Sequence, residues 1–145
     1  LIVAAPGVAP AGAHSKGLVE FVDVYPTLAD LAGLTPPKEL EGVSFAPLLR
    51  SPDREWKPAA FSQYPRGPQK LMGCTIHTDR YRLTQWVSRS DPEKVEAVEL
   101  YDLQTDPQEN HNVAAVPAQA ETVAKLSEQL RSGWRAAAAN LDVKR

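Results

Sequence analysis

Cysteine is nearly absent from this sequence: Cys74 stands alone in 145 residues. That excludes an internal disulfide and a multi-cysteine zinc site, and it leaves the redox compartment open. No Asn-x-Ser/Thr acceptor is present either. Charge of one sign is not in excess, because 16 Lys plus Arg face 18 Asp plus Glu for a net charge of -2. Bulk electrostatics therefore favours neither nucleic acid nor an anionic membrane surface, and any anion site has to be local. Long apolar runs are missing too. Leu1–Ala5 is closed by Pro6-Gly7, far short of the roughly 20 residues a spanning helix needs, and it lacks the basic flank of a signal peptide. The histidines, His14, His77 and His111, fall in a loop, a hairpin end and a turn, with no sequence-local partner that would make a triad or a metal site.

What is present is an ordinary globular composition, 43% hydrophobic and 23% charged, enough for a core of its own in one or two small domains. Leu1–Ala5 suits a strand buried on both faces of an α/β sheet. A globular chain seldom starts inside such a strand, so the sequence is expected to be the tail of a longer one. Apolar residues at helical spacing from Val19 to Leu34 predict a helix starting near Asp23, with Pro26 in its first turn and Gly33 as its C-terminal cap. The polar, proline-flanked run Ser51–Pro58 reads as a connection. It divides the sequence into residues 1–57, the closing strand and helix of an α/β domain, and residues 58–145, an antiparallel sheet plus helix.

In the second part, Ala59–Tyr64 is the expected first strand. Leu71–Val87 forms a hairpin about Thr78-Asp79 with His77 opposite Arg80, and Val95–Leu103 is the fourth strand. Alternation gives the hairpin one apolar face, Met72, Cys74, Ile76, Tyr81, Leu83 and Val87, with Gln85 as its polar intruder. The other face carries Gly73, Thr75, His77, Arg80, Arg82, Thr84 and Trp86. Two readings of that face stand side by side: a solvated outer surface, and a surface that meets an anionic, ring-shaped ligand. From Pro117 to Ala139 the stripe Val123, Leu126, Leu130, Trp134 and Ala137 predicts a helix that covers the apolar face.

Three stretches carry a resemblance. Ser62-Gln63-Tyr64-Pro65-Arg66, followed by Met72-Gly73 and a hairpin containing Tyr81-Arg82 and Trp86-Val87, resembles the C-terminal subdomain of iduronate-2-sulfatase-like members of the sulfatase family. Val22–Gly33 with Glu41–Leu49 is similar to the closing segment of a sulfatase catalytic domain in the alkaline-phosphatase-like superfamily. Leu100–Ala114 is similar to the last strand and loop of sulfatases at large. Two positions depart from the pattern: Cys74 where an aromatic is usual, and His77 where an arginine is common.

The resemblance implies the C-terminal part of an alkaline-phosphatase-like sulfatase fold, ending in a four-stranded antiparallel sheet packed on a helix. It implies a full-length enzyme that hydrolyses sulfate esters, on a sulfated uronate or glycosaminoglycan-type sugar, with calcium and a formylglycine nucleophile supplied upstream of Leu1. Cys74 lies in Cys74-Thr75-Ile76-His77-Thr78, without the Cys-x-Pro-Ser-Arg surroundings of that nucleophile. No catalytic residue, metal site or cofactor is therefore expected here, and the chain alone is expected to be inactive. The oxygen-rich run Asp106, Glu109, Asn110, Asn112 lacks the ligand spacing and glycine of a calcium loop.

A binding contribution is what remains, from Gln63, Tyr64, Arg66, His77 and Trp86. Arg66 is read either as a fork for a carboxylate or sulfate, or as a structural ion pair. Trp86 is read either as a stacking platform for a sugar or as interface packing. The expected partners are the N-terminal catalytic domain and a sulfated sugar, not nucleic acid or membrane, with self-association through exposed apolar surface when that domain is absent. The implied compartment is secreted, periplasmic or lysosomal. A non-catalytic module for sulfated glycans, a purely structural subdomain, and a phosphate or phosphonate monoesterase are the alternatives.

Overall fold

The computed structural model describes residues 1–67, 70–139 and 141, which form two compact units, Leu1–Lys57 and Pro58–Ala139. The second unit is a sheet of four strands in the order β1-β2-β3-β4: β1 Ala59–Arg66, β2 Leu71–Thr78, β3 Tyr81–Ser88 and β4 Val95–Asp102. Each neighbouring pair is antiparallel. Register across the sheet aligns Phe61, Ile76, Leu83 and Leu100 on one face. Ile76, Leu83 and Leu100 are fully buried there, and Leu126 from the C-terminal helix joins their cluster. Gln85 also lies on this face, and its amide donates to Ser127 Oγ of that helix at 3.0 Å, so the polar intruder is satisfied rather than exposed.

The hairpin turns one residue later than the sequence suggests, which shifts the cross-strand pairing by two residues. His77 faces Arg82, not Arg80, because the Thr78 hydroxyl both accepts from the Tyr81 N–H at 2.9 Å and donates to the Tyr81 carbonyl at 3.1 Å. That closes the turn on Asp79-Arg80. Arg80 leaves the sheet face and grips the Asp102 carboxylate with Nε and Nη2 at 3.1 and 2.8 Å, which holds the Asp102 carboxyl below its ordinary range. Since side chains alternate with a period of two, a slip of two residues leaves every other strand residue on its expected face.

Strand β1 continues through Pro65 to Arg66, beyond the expected stop at Tyr64. An edge strand tolerates Pro65, whose missing N–H removes no bond from the interior of the sheet. The opposite edge is covered locally by the loop after β4. Asn112 Oδ1 accepts from the Leu100 N–H at 2.9 Å, and the Val113 N–H donates to the Leu100 carbonyl at 2.8 Å. A 3₁₀ turn at Pro117–Gln119 then leads into helix α3, Ala120–Ala138. Its stripe runs as expected through Val123, Leu126 and Leu130, all packed on the sheet. At Gly133 the backbone leaves the helical region with φ 77, a conformation glycine adopts without steric cost. The helix kinks there, and the stripe does not continue in phase: Ala138 rather than Ala137 is buried, and Trp134 lies under the Arg135 guanidinium, 4.3 Å from its ring centroid.

In the first unit the expected strand is not formed. Leu1–Ala5 has no strand partner among the described residues and is irregular, with Leu1 and Ile2 exposed; an apolar run becomes sheet only where a neighbour can take its backbone hydrogen bonds. Helix α1, Val24–Leu31, follows a 3₁₀ turn at Phe21–Asp23. Pro26 occupies its first turn, where a backbone donor would go unpaired in any case. Gly33 closes it with φ 68. The Gly33 N–H donates to the Asp30 carbonyl at 3.1 Å and the Leu34 N–H to the Ala29 carbonyl at 2.8 Å, the paired bonds of a Schellman ending.

Helix α2, Ala46–Arg50, is held against α1 by Thr27, whose hydroxyl donates to the Asp23 carbonyl at 2.6 Å and accepts from the Phe45 N–H at 2.9 Å. Asp23 is 1% exposed. Its carboxylate accepts from the Glu20 and Val43 N–H groups at 2.9 and 2.8 Å and pairs with Lys57 Nζ at 2.6 Å. Lys57 also reaches Glu20 at 2.5 Å.

Candidate functional site

The open face of the sheet, away from α3, gathers polar side chains from all four strands. Neighbouring partners Tyr64, Gly73, Trp86 and Ala97 align across it, as do Ser62, Thr75, Thr84 and Glu99. Over them lies a concavity of about 250 Å³ lined by Ser62, Tyr64, Thr75, Arg82, Trp86 and Glu99, with Tyr101 and Glu109 completing its wall. Thr75 and Thr84 join their hydroxyls at 2.8 Å on its floor.

Trp86 is fixed on several sides. Its Nε1–H donates to Glu99 Oε1 at 2.8 Å, its ring lies over Gly73, and the Arg66 guanidinium sits 4.9 Å from a ring centroid. A Cβ built on Gly73 would stand 2.9 Å from Trp86 Cζ3, which gives this strand glycine a packing reason. Gly73→Ala is therefore expected to tip the indole off its seat and to cost about 1–2 kcal/mol by overpacking. A shifted Trp86 indole N–H resonance together with a lower thermal midpoint would register it; an unchanged indole signal would mean that the ring is not seated on Gly73.

The second oxygen of Glu99 accepts from the Tyr101 hydroxyl at 3.3 Å. Burial, and then the Glu99 charge, push the Tyr101 phenol above its ordinary pKa. Arg82 is ion-paired with Glu109. Glu109 reaches it from the loop after β4 with a positive φ of 56, a conformation uncommon outside glycine. The loop is set by Asp106, whose carboxylate accepts from the His111 N–H at 2.8 Å and the Asn110 amide at 3.3 Å. Oxygens of Asp106, Asn112 and Glu109 are thus spent on the turn, on β4 and on Arg82.

Of the five residues singled out in the sequence, Tyr64 and Trp86 line this concavity, and Arg66 stands over Trp86 outside the lining. His77 lies on the same face but outside the lining, beside Arg82 across the strands. Burial, and then the Arg82 charge, hold its imidazole below the ordinary histidine pKa. Gln63 points to the opposite face, exposed, with its amide 3.9 Å from Cys74 Sγ. Arg66 rests on Trp86, so the indole face read as a sugar platform carries a guanidinium instead.

The residues that sequence reasoning passed over are Glu99, Tyr101 and Glu109. Alternation with the core-facing Val98 and Leu100 separates Glu99 and Tyr101 from the core face. Thr105-Asp106-Pro107 marks a turn, but nothing in the sequence marks the left-handed backbone at Glu109 that brings it to Arg82.

Calcium and formylglycine do not fit the residues present. Cys74 faces the helix side, where burial raises its thiol pKa. No group of three or more His, Cys, Asp or Glu side chains converges among the described residues. No helix among the described residues is long and apolar enough to cross a membrane.

Comparison with known proteins adds to this geometry. A family model described as N-sulphoglucosamine sulphohydrolase, C-terminal, matches residues 1–135. Iduronate 2-sulfatase of Mus musculus is 38% identical over 144 aligned residues, covering 71% of this chain and 26% of that protein. Arylsulfatase K of Xenopus laevis is 31% identical over 138 residues, covering 91% of this chain and 25% of that protein. A solved structure described as a complex with its substrate D-glucosamine-2-N,6-O-disulfate matches with a TM-score of 0.76 and 25% identity, over 95% of this chain and 28% of that one. The chain thus spans about a quarter of the length of the curated relatives it matches.

Proposed function

From the premise that this chain belongs to the sulfatase C-terminal domain family, we propose that it completes an enzyme that hydrolyses sulfate esters of a uronate-containing or glycosaminoglycan-type sugar. Its part is to hold the sugar, and it is inactive by itself, because nucleophile, metal and general acid belong to sequence outside it. The observation that carries this reading is Arg66 held over the indole of Trp86, which with Tyr64 lines the concavity. A guanidinium pre-placed on a ring loses less freedom when it pairs bidentately with sulfate or carboxylate. His77 has a peripheral part in this proposal, from the far end of β2, whereas Gln63, turned to the opposite face beside Cys74, has none. The names of its relatives, an iduronate 2-sulfatase and a protein in complex with a disulfated glucosamine substrate, support sugar sulfates over other esters.

The same reading accounts for the first unit. Phe21, Tyr25 and Leu28 of the α1 region are 93%, 57% and 60% exposed, an apolar surface that the catalytic domain covers and that drives self-association without it. The domain division is the one read in the sequence, residues 1–57 belonging with the catalytic α/β domain and 58–145 forming the terminal subdomain. The compartment is exported or lysosomal.

The test is Arg66→Ala in the enzyme that carries this chain. KM for a sulfated disaccharide is expected to rise about ten-fold with kcat nearly unchanged, the mark of a lost binding contact. An unchanged KM would remove Arg66 from the substrate.

A further inference from the structure

The concavity on the open sheet face has a charge pattern that an anion at Arg66 does not use. Its lining is rich in acceptors. Two carboxylates, Glu99 and Glu109, and one cation, Arg82, line it, and that cation is already paired with Glu109. Glu99 spends one oxygen on Trp86 Nε1 and the other on the Tyr101 hydroxyl. A carboxylate has about four lone-pair sites, so each oxygen keeps room for one more donor.

An anion placed here would meet the Glu99 charge at close range. A hydroxyl would meet an acceptor. Ser62, Thr75 and Thr84 line the floor with groups that donate or accept, while Tyr64 supplies a ring wall and Trp86, with Arg66 over its ring, borders the space. At about 250 Å³ the space falls just under the range of ~300–1,000 Å³ typical of drug-sized ligands, which suits one sugar ring rather than a chain. Arg66 stands over Trp86 and is not part of the lining.

We infer that the pocket formed by Trp86, Glu99, Tyr101, Arg82 and Glu109 is a subsite for an uncharged, hydroxyl-bearing sugar ring, with any sulfate of the ligand held outside it at Arg66. The second half of this inference rests on the sulfated-sugar reading above; the preference of the pocket itself does not. The site thus sorts a glycan by charge. A neutral ring goes in, and an anionic substituent stays at the mouth.

The experiment is a titration of the chain with N-acetylglucosamine, N-acetylglucosamine 6-sulfate and inorganic sulfate, followed by the indole N–H resonance of Trp86. Dispersed amides of Ile76, Leu83 and Leu100 in the same spectra verify the folded sheet. Both sugars are expected to shift Trp86, and the sulfated one to bind more tightly. Glu99→Gln should weaken both about ten-fold, as loss of a charge-assisted hydrogen bond does. Tyr101→Phe, which leaves the carboxylate in place, should weaken them less. Arg66→Ala should remove only the advantage of the sulfated sugar.

Displacement of N-acetylglucosamine by inorganic sulfate would overturn the inference. So would tighter binding of the sulfated sugar by Glu99→Gln, or no response of Trp86 to either sugar in the folded chain. If both sugars bind but Arg66→Ala changes nothing, the anion reading at Arg66 falls while the neutral-ring subsite stands.

Discussion

Lys57→Met is expected to destabilise the Leu1–Lys57 unit by about 3–5 kcal/mol, the cost of stranding a buried charge whose partner has been removed. Lys57 is 6% exposed and Asp23 1% exposed, and the ammonium holds Asp23 and Glu20 together at 2.6 and 2.5 Å. Methionine fills much of the same space, so lost packing accounts for little of the change. Asp23→Asn combined with Lys57→Met should lose less than the sum of the single variants, with a coupling of about 1 kcal/mol or more, because no bare carboxylate is then left beside the Val43 and Glu20 N–H groups. Urea unfolding followed by the fluorescence of Trp56, which lies in this unit and is 9% exposed, reads the effect. A loss below about 1 kcal/mol would place the cluster in the class of solvated ion pairs.

Gly42→Ala is the second large effect. A Cβ at this position would lie 1.9 Å from the Val22 carbonyl oxygen and 2.9 Å from the Asp23 nitrogen. Backbone atoms cannot swing aside as a side chain can. The segment carrying Val43 and Phe45 would have to lift from α1, breaking the bonds from Val43 to Asp23 and from Phe45 to Thr27. Overpacking and two abandoned hydrogen bonds together amount to about 3–4 kcal/mol. Gly33→Ala, at φ 68 with open space around it, should cost only about 1 kcal/mol, from the left-handed conformation alone. Comparable losses for the two variants in thermal unfolding would contradict the close approach of Gly42 to Val22.

Much of this architecture is written locally. The ending of α1 at Gly33, the first-turn place of Pro26 and the alternation that sends Ile76 and Leu83 to one face and Trp86 to the other follow from neighbours in sequence. Family resemblance on Gln63–Arg66 and Leu100–Ala114 carries the rest of the fold, and the family match over residues 1–135 agrees with it.

What escapes a sequence reading is held by partners far apart. Lys57 meets its carboxylates across separations of 34 and 37 residues. The hairpin register turns on one threonine hydroxyl, and Arg80 is drawn away by Asp102, 22 residues on. Leu1–Ala5 reads as strand, yet strand character needs a neighbour that the described residues do not provide. The candidate site shows the same division. Trp86, Thr84 and Arg82 share a face by alternation, whereas Glu109 arrives through a left-handed residue in a loop that composition marks only as a turn.

The most direct test of the central claim is sulfate release from a sulfated uronate–hexosamine disaccharide, measured for this chain alone and for the same chain joined to a sulfatase catalytic domain. The account predicts no release by the chain and turnover by the joined protein, with KM raised when Arg66 is replaced. Sulfate release by the chain alone would contradict it, as would a joined protein that cleaves phosphonate or phosphate monoesters and leaves the sulfate ester intact.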